Sequence, residues 1–156
     1  MNKINRKLEY ALMGLKHMRT KQPGELTTVK EISAVYGCPF EATSKVMQVL
    51  SQKGLVRSEQ GAHGGYQLIR DLNRISVYEL MEAVVGPVEI ARCLQGDEPG
   101  ACELRDSCNV VSPVSILNRK LIEFYRGLML GELLDSRPQT RPSASAGEAT
   151  AAGMES

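Results

Sequence analysis

The chain has no run of the roughly 18 consecutive apolar residues needed to cross a bilayer, which excludes a helical membrane span. Its first residues, Met1-Asn2-Lys3-Ile4-Asn5-Arg6-Lys7, lead into an amphipathic pattern and not into the apolar core of a secretory signal. A cytoplasmic, soluble protein is therefore expected. It has few cysteines, four in 156 residues. Without a secretory signal these do not read as a disulfide framework; they read as reduced thiols, free to bind metal or to act as redox switches. A P-loop is missing too, because the glycine-rich turn near residue 61 is not followed by Lys-Ser/Thr. One loop with three cysteines offers no second site for a substrate, so no enzyme is expected. The length suits one core, or one small domain with an oligomerisation arm.

Charge is present but unevenly placed. Residues 1 to 75 carry twelve Lys/Arg against six Asp/Glu, a net +6, and residues 76 to 156 carry seven against twelve, a net −5. A basic amino-terminal half is what a phosphate-neutralising surface needs, although a merely solvated basic face would look the same.

Ile4, Leu8, Ala11, Leu12, Leu15 and Met18 recur at intervals of three and four, predicting an amphipathic helix that ends before Gln22-Pro23-Gly24. Thr28 and Glu31 form a capping-box pattern for a second helix through Ile32 and Val35. After Gly37-Cys38-Pro39 a third helix is predicted from Phe40 to Gln52, with Val46, Val49 and Leu50 turned inward and Gly54 as its stop. Two short helices around a tight turn make a helix-turn-helix. Leu55 to Gln60 and Tyr66 to Ile69 flank the turn Gly61-Ala62-His63-Gly64-Gly65, so a β-hairpin wing follows.

Ser76 and Glu79 form a second capping-box pattern, for a helix through Leu80 and Val84 that stops at Gly86-Pro87. Pro113 suits the first turn of a further helix with Ser112 as its cap. From Val114 to Leu134, Leu117, Leu121, Phe124, Leu128 and Met129 recur at helical spacing with little left to pack against, which predicts a long helix that pairs with its own copy. The fold class is thus mainly α with a small β-hairpin: a winged helix-turn-helix over 1–75, a cysteine loop and dimerisation helix over 76–134, and a disordered tail over 135–156.

Cys93, Cys102 and Cys108 lie within sixteen residues, separated by eight and then five, in a loop from about Arg92 to Ser112. Such a cluster usually holds a metal. Structural zinc takes three cysteines and one oxygen or nitrogen ligand, and an iron-sulfur cluster takes four protein ligands, mostly thiolates. Cys38, in the turn of the helix-turn-helix, is a small residue expected to pack and not to ligate.

Several stretches together resemble the Rrf-two superfamily of bacterial winged-helix regulators, and within it the iron-sulfur members IscR, NsrR and RirA. They are Leu8-Glu9-Tyr10-Ala11-Leu12, Gly54-Leu55-Val56, Gly64-Gly65-Tyr66-Gln67-Leu68, Ile75-Ser76-Val77-Tyr78-Glu79-Leu80, the cysteine triad and Leu130-Gly131-Glu132-Leu133. The resemblance implies a homodimer that binds a palindromic operator in double-stranded DNA, acts as a transcription regulator, most commonly a repressor, and holds a [2Fe-2S] or [4Fe-4S] cluster. It implies Cys93, Cys102 and Cys108 as ligands. IscR-like members carry a histidine three residues after the last cysteine, where this chain has Val111. NsrR-like members use an acidic residue in helix one of the partner subunit, and the aligned residue here is Glu9, with His17 as the second candidate. Alternatives left open are a zinc- or thiol-based redox regulator, and an iron-sulfur or partner-binding module that does not bind DNA.

For base contacts, the third helix offers Glu41, Thr43, Ser44, Lys45 and Gln48. Arg6, Lys7, Lys53 and Arg57 suit phosphates. The family's Arg-Gly before the wing turn is Gln60-Gly61 here, and His63 replaces a turn glycine; His63 can take over the minor-groove role of the missing arginine.

Overall fold

The structure, a computed structural model, describes residues 4–94 and 102–135. Helix α1 (Arg6–Arg19) starts where the Asn5 side chain accepts a hydrogen bond from the Lys7 amide. Its three-and-four spacing puts Leu8, Ala11, Gly14, Leu15 and Met18 on one buried stripe. Helix α2 (Val29–Tyr36) is capped by Thr28, which accepts from the Glu31 amide, and ends at Gly37 in the left-handed region (φ 68°). The reciprocal half of the expected capping box is not formed, because the Glu31 carboxylate turns to His17 and Lys21. Helix α3 (Phe40–Gln52) buries Thr43, Val46, Met47 and Leu50 against α1 and α2.

Strands β1 (Val56–Glu59) and β2 (Gly65–Leu68) pair antiparallel, with Val56 opposite Leu68 and Glu59 opposite Gly65. Thr27 adds an isolated antiparallel bridge to Tyr66, through N–H···O bonds of 2.9 and 2.8 Å, and so ties the hairpin to the segment before α2. Gly65 is required there: a Cβ on it would lie 2.9 Å from the Thr27 carbonyl oxygen. The wing thus has a fixed angle to the helix-turn-helix.

Ser76 and Glu79 form a complete capping box at the start of α4 (Val77–Val84). A continuous helix from Val114 to Leu134 is not found. Helix α5 runs Val111–Gly127, Leu128 is extended (φ −94°, ψ 114°), and α6 is Leu130–Asp135. The break is made by backbone pairing: the Val77 amide donates to the Leu128 carbonyl and the Leu130 amide to the Ile75 carbonyl, both at 2.8 Å. The entry to α5 also differs from expectation. Val110 is the N-cap without a side-chain bond, Ser112 is inside the helix, and Pro113 sits in its first turn.

The buried cluster includes Leu15, Ile32, Met47, Leu50, Ile75, Leu80 and Leu130, so one core crosses the expected boundary near residue 75. Helix α5 contributes no buried residue to it; Leu117 and Phe124 are 52% and 61% exposed. Asp135, expected to open a disordered tail, closes α6 and pairs with Arg19 at 2.7 Å. The rest of that expected tail lies outside the described residues.

Candidate nucleic-acid interface and sensor segment

Helix α3 divides into faces by its own periodicity. Thr43, Val46, Met47 and Leu50 face inward, so the outward face carries Glu41, Lys45, Gln48 and Gln52, with Ser44 at its edge and Phe40 one turn before Ser44. Glu41, Lys45 and Gln48 are exposed and Ser44 is half-buried. Thr43 has to be removed from the expected base-contacting set. It is fully buried, and its hydroxyl donates to the Pro39 carbonyl at 2.8 Å, which stabilises the first turn of α3 instead of reaching solvent. Lys45 shares a cleft with Lys7, Glu41 and Val84, which puts two ammonium groups and one carboxylate beside the recognition helix.

Lys53, Arg57, Gln60 and His63 are all exposed, Lys53 at the end of α3 and the others along the wing. Arg6 is also exposed, but its guanidinium is held by Glu9 at 2.7 Å. In the wing turn Gly61 takes φ 115°, and the Gly64 amide donates to the Gly61 carbonyl at 3.0 Å. Tyr66, next to the wing turn, is half-buried against the core, and that burial raises its hydroxyl above the usual tyrosine range.

Cys93 lies in a short 3-10 turn (Arg92–Leu94), Cys102 begins the turn whose Arg105 amide donates to the Cys102 carbonyl at 3.1 Å, and Cys108 stands just before α5. All three are half-buried free thiols, and Cys38 is a buried one, its sulfur 3.9 Å from the Met13 sulfur. The segment is anchored to α5 by the Ile90 amide, which donates to the Asn118 side-chain oxygen at 3.1 Å. Among the described residues, no three His, Cys, Asp or Glu side chains are grouped so as to hold a metal. The structure therefore places the three thiols on one connection between α4 and α5 without closing a site, and the Glu9 carboxylate is ion-paired with Arg6. The donor chemistry is nevertheless right for a thiophilic metal or cluster: three unpaired sulfurs, partly shielded from solvent.

His17 is less suited to a ligand role than its sequence position implies. Its Nδ1 lies 2.9 Å from the Tyr36 hydroxyl and its Nε2 2.8 Å from Glu31 Oε1, so both ring nitrogens are already engaged. Lys21 reaches the same Glu31 oxygen at 2.6 Å. The Lys21 ammonium, and after it the imidazole, hold the Glu31 carboxyl below the usual carboxylate range. Sequence reasoning missed this four-residue cluster, since its members follow no common periodicity and Glu31 reads as a capping residue.

A helix-turn-helix with a hairpin wing and an exposed polar recognition face defines a winged-helix DNA-binding protein. Residues 4–136 match the Rrf2 family, described as an iron-dependent transcriptional regulator, and the chain belongs to that family. It is 28% identical over 135 residues to the HTH-type transcriptional regulator IscR of Cronobacter sakazakii, covering 86% of this chain and 82% of that one. Two solved structures share the fold. CymR, the global cysteine regulator of B. subtilis, has a TM-score of 0.64 at 23% identity, covering 86% of this chain and 97% of that one. IscR of T. potens has a TM-score of 0.59 at 20% identity, covering 85% and 86%. No helix among the described residues is long and apolar enough to cross a membrane.

Proposed function

We propose that the protein is a homodimeric transcription regulator, most simply a repressor, that binds a palindromic operator in double-stranded DNA and whose affinity is set by an iron-sulfur cluster. The observation that carries this reading is the set of three half-buried, unpaired thiols, Cys93, Cys102 and Cys108, on the single connection that leads into α5. Similarity to relatives named IscR supports it. The fourth ligand in this reading is Glu9 of the partner subunit, the position to which the resemblance to NsrR-like members points. A bound cluster would supply iron that is more exchangeable at an oxygen-ligated corner than at a thiolate one, which suits a sensor of iron supply, oxygen, nitric oxide or redox state.

The chain's own residues supply a route from that segment to the DNA surface. Cys108 abuts α5, the α5–α6 break pairs with the backbone around Ser76, Arg19 joins α6 to α1 through the Gly131 carbonyl at 3.1 Å and Asp135, and His17 joins α1 to α2. Dimerisation is supported by the exposed apolar residues of α5, Ile116, Leu117 and Phe124, which the monomer leaves uncovered.

A second reading, a thiol-based redox regulator without a cluster, is favoured by the lack of a three-ligand group among the described residues and by the fold shared with CymR. Anaerobic purification followed by iron, zinc and acid-labile sulfide analysis separates the two. Near-equal iron and sulfide, lost in Cys93→Ala, Cys102→Ala and Cys108→Ala but kept in Cys38→Ala, is the expected result. A colourless protein with stoichiometric zinc, or with no metal, overturns the cluster reading.

A further inference from the structure

The recognition helix begins with an aromatic ring that nothing in the core claims. Phe40, the first residue of α3, is 56% exposed, and α2 ends on two further exposed apolar residues, Val35 at 59% and Tyr36 at 43%. A buried role is excluded by those values, since the α3 residues that pack inward are Thr43, Val46, Met47 and Leu50. By helical periodicity Phe40 lies one turn before the half-buried Ser44 and two before the exposed Gln48, on the row that runs from the start of the helix onto its outward face. A major groove that receives the N-terminal turns of this helix therefore has the Phe40 ring within reach.

In the major groove one feature of the bases is apolar, the C5 methyl group of thymine, and an exposed phenyl ring is among the side chains that recognise it. Water leaves both the ring and the methyl when they meet, so the contact is favourable only where a thymine is present. The surrounding charge fits a nucleic-acid occupant better than a second apolar protein surface. Lys45 of α3 and Lys7 of α1 line one cleft together with Glu41, and residues 1 to 75 carry twelve basic against six acidic side chains.

We infer that Phe40 is a specificity-determining residue that reads a thymine methyl in each half-site of the operator. This rests on the DNA-binding reading given above and adds to it the base and the group being read. The sequence carries a weak signal for it, an aromatic four residues ahead of Ser44 at the mouth of a recognition helix.

The test uses the full-length protein prepared anaerobically. Duplexes are selected from a random pool, and each recurring thymine in the selected site is then replaced, one at a time, by deoxyuridine, which removes only the methyl group. At one position per half-site the wild-type protein should lose about three- to tenfold in affinity. Phe40→Ala should bind the thymine and deoxyuridine duplexes equally, and should lose more affinity on the selected site than on random DNA; Phe40→Leu should keep part of the discrimination. Deoxyuridine without effect at every position, or an equal loss in wild type and Phe40→Ala, would overturn the inference while leaving the DNA-binding reading intact. If no duplex is selected at all, the DNA-binding reading fails and this inference with it.

Discussion

At the end of α1 a single imidazole holds both ends of α2. His17 contacts Glu31 in the first turn and Tyr36 at the last residue, and it stacks edge-on against the Tyr36 ring at 5.5 Å. Glu31 is the group whose ionisation this arrangement favours, since the Lys21 ammonium and then His17 lower its carboxyl below the usual range. A carboxyl lowered in the folded state stabilises the fold where it is ionised in both states, which is above the ordinary carboxylate range. That contribution is lost as the pH falls from that range through the lowered folded value. Glu31→Gln should therefore flatten the acid limb of the stability-against-pH curve, measured by denaturant unfolding. An unchanged acid limb would mean that Glu31 is not the group whose protonation weakens the junction of α1 and α2. None of these contacts was legible in the sequence, because they join residues on different elements whose side chains meet only after α1 and α2 have packed.

Among the elements, what was legible follows from where the signals are local. Helices α1 to α3 and the hairpin are bounded by caps, glycines and a proline within the segments themselves, and they lie close to where periodicity places them. The break between α5 and α6 is different. It is imposed by backbone bonds from residues near Ser76, so a helical pattern continuing through Leu128 and Met129 gives no warning of it. The recognition helix shows the same limit at finer scale: Thr43 is polar and well placed in sequence, yet its hydroxyl serves the Pro39 carbonyl. With Thr43 excluded, Gln48→Ala and Lys45→Ala should each cost about 1 to 3 kcal/mol on the selected operator if they make base contacts. Lys53→Ala should weaken all DNA alike and reduce the salt slope by about one unit. Equal losses on selected and random duplexes for all three variants in a fluorescence-anisotropy titration would mean that α3 does not read bases.

For the whole molecule the decisive relation is between two chains. Helix α5 leaves Leu117 and Phe124 largely exposed, and among the described residues of one chain no three metal-ligating side chains are grouped. If Glu9 of the partner subunit completes the site, Glu9→Ala should keep the fold and the dimer but lose its cluster readily. Mixing it with a Cys93/Cys102/Cys108→Ala triple variant should then yield heterodimers with one complete site, three thiols from one chain and one carboxylate from the other. Failure of such mixtures to regain a stable visible absorbance would show that the ligand comes from the same chain or from another residue.

In the proposed mechanism, occupancy at the cysteine segment changes the DNA affinity of a winged helix built on α2, α3 and the β1–β2 hairpin. The direct measurement is an anaerobic gel shift at fixed moderate salt on the protein's own promoter region, with cluster-loaded and chelator-stripped protein titrated side by side. The two affinities should differ by about fivefold or more, the usual range of a coupled equilibrium, and the triple cysteine variant should be fixed at the stripped value. Equal affinity of the loaded and stripped forms for that DNA would contradict this mechanism.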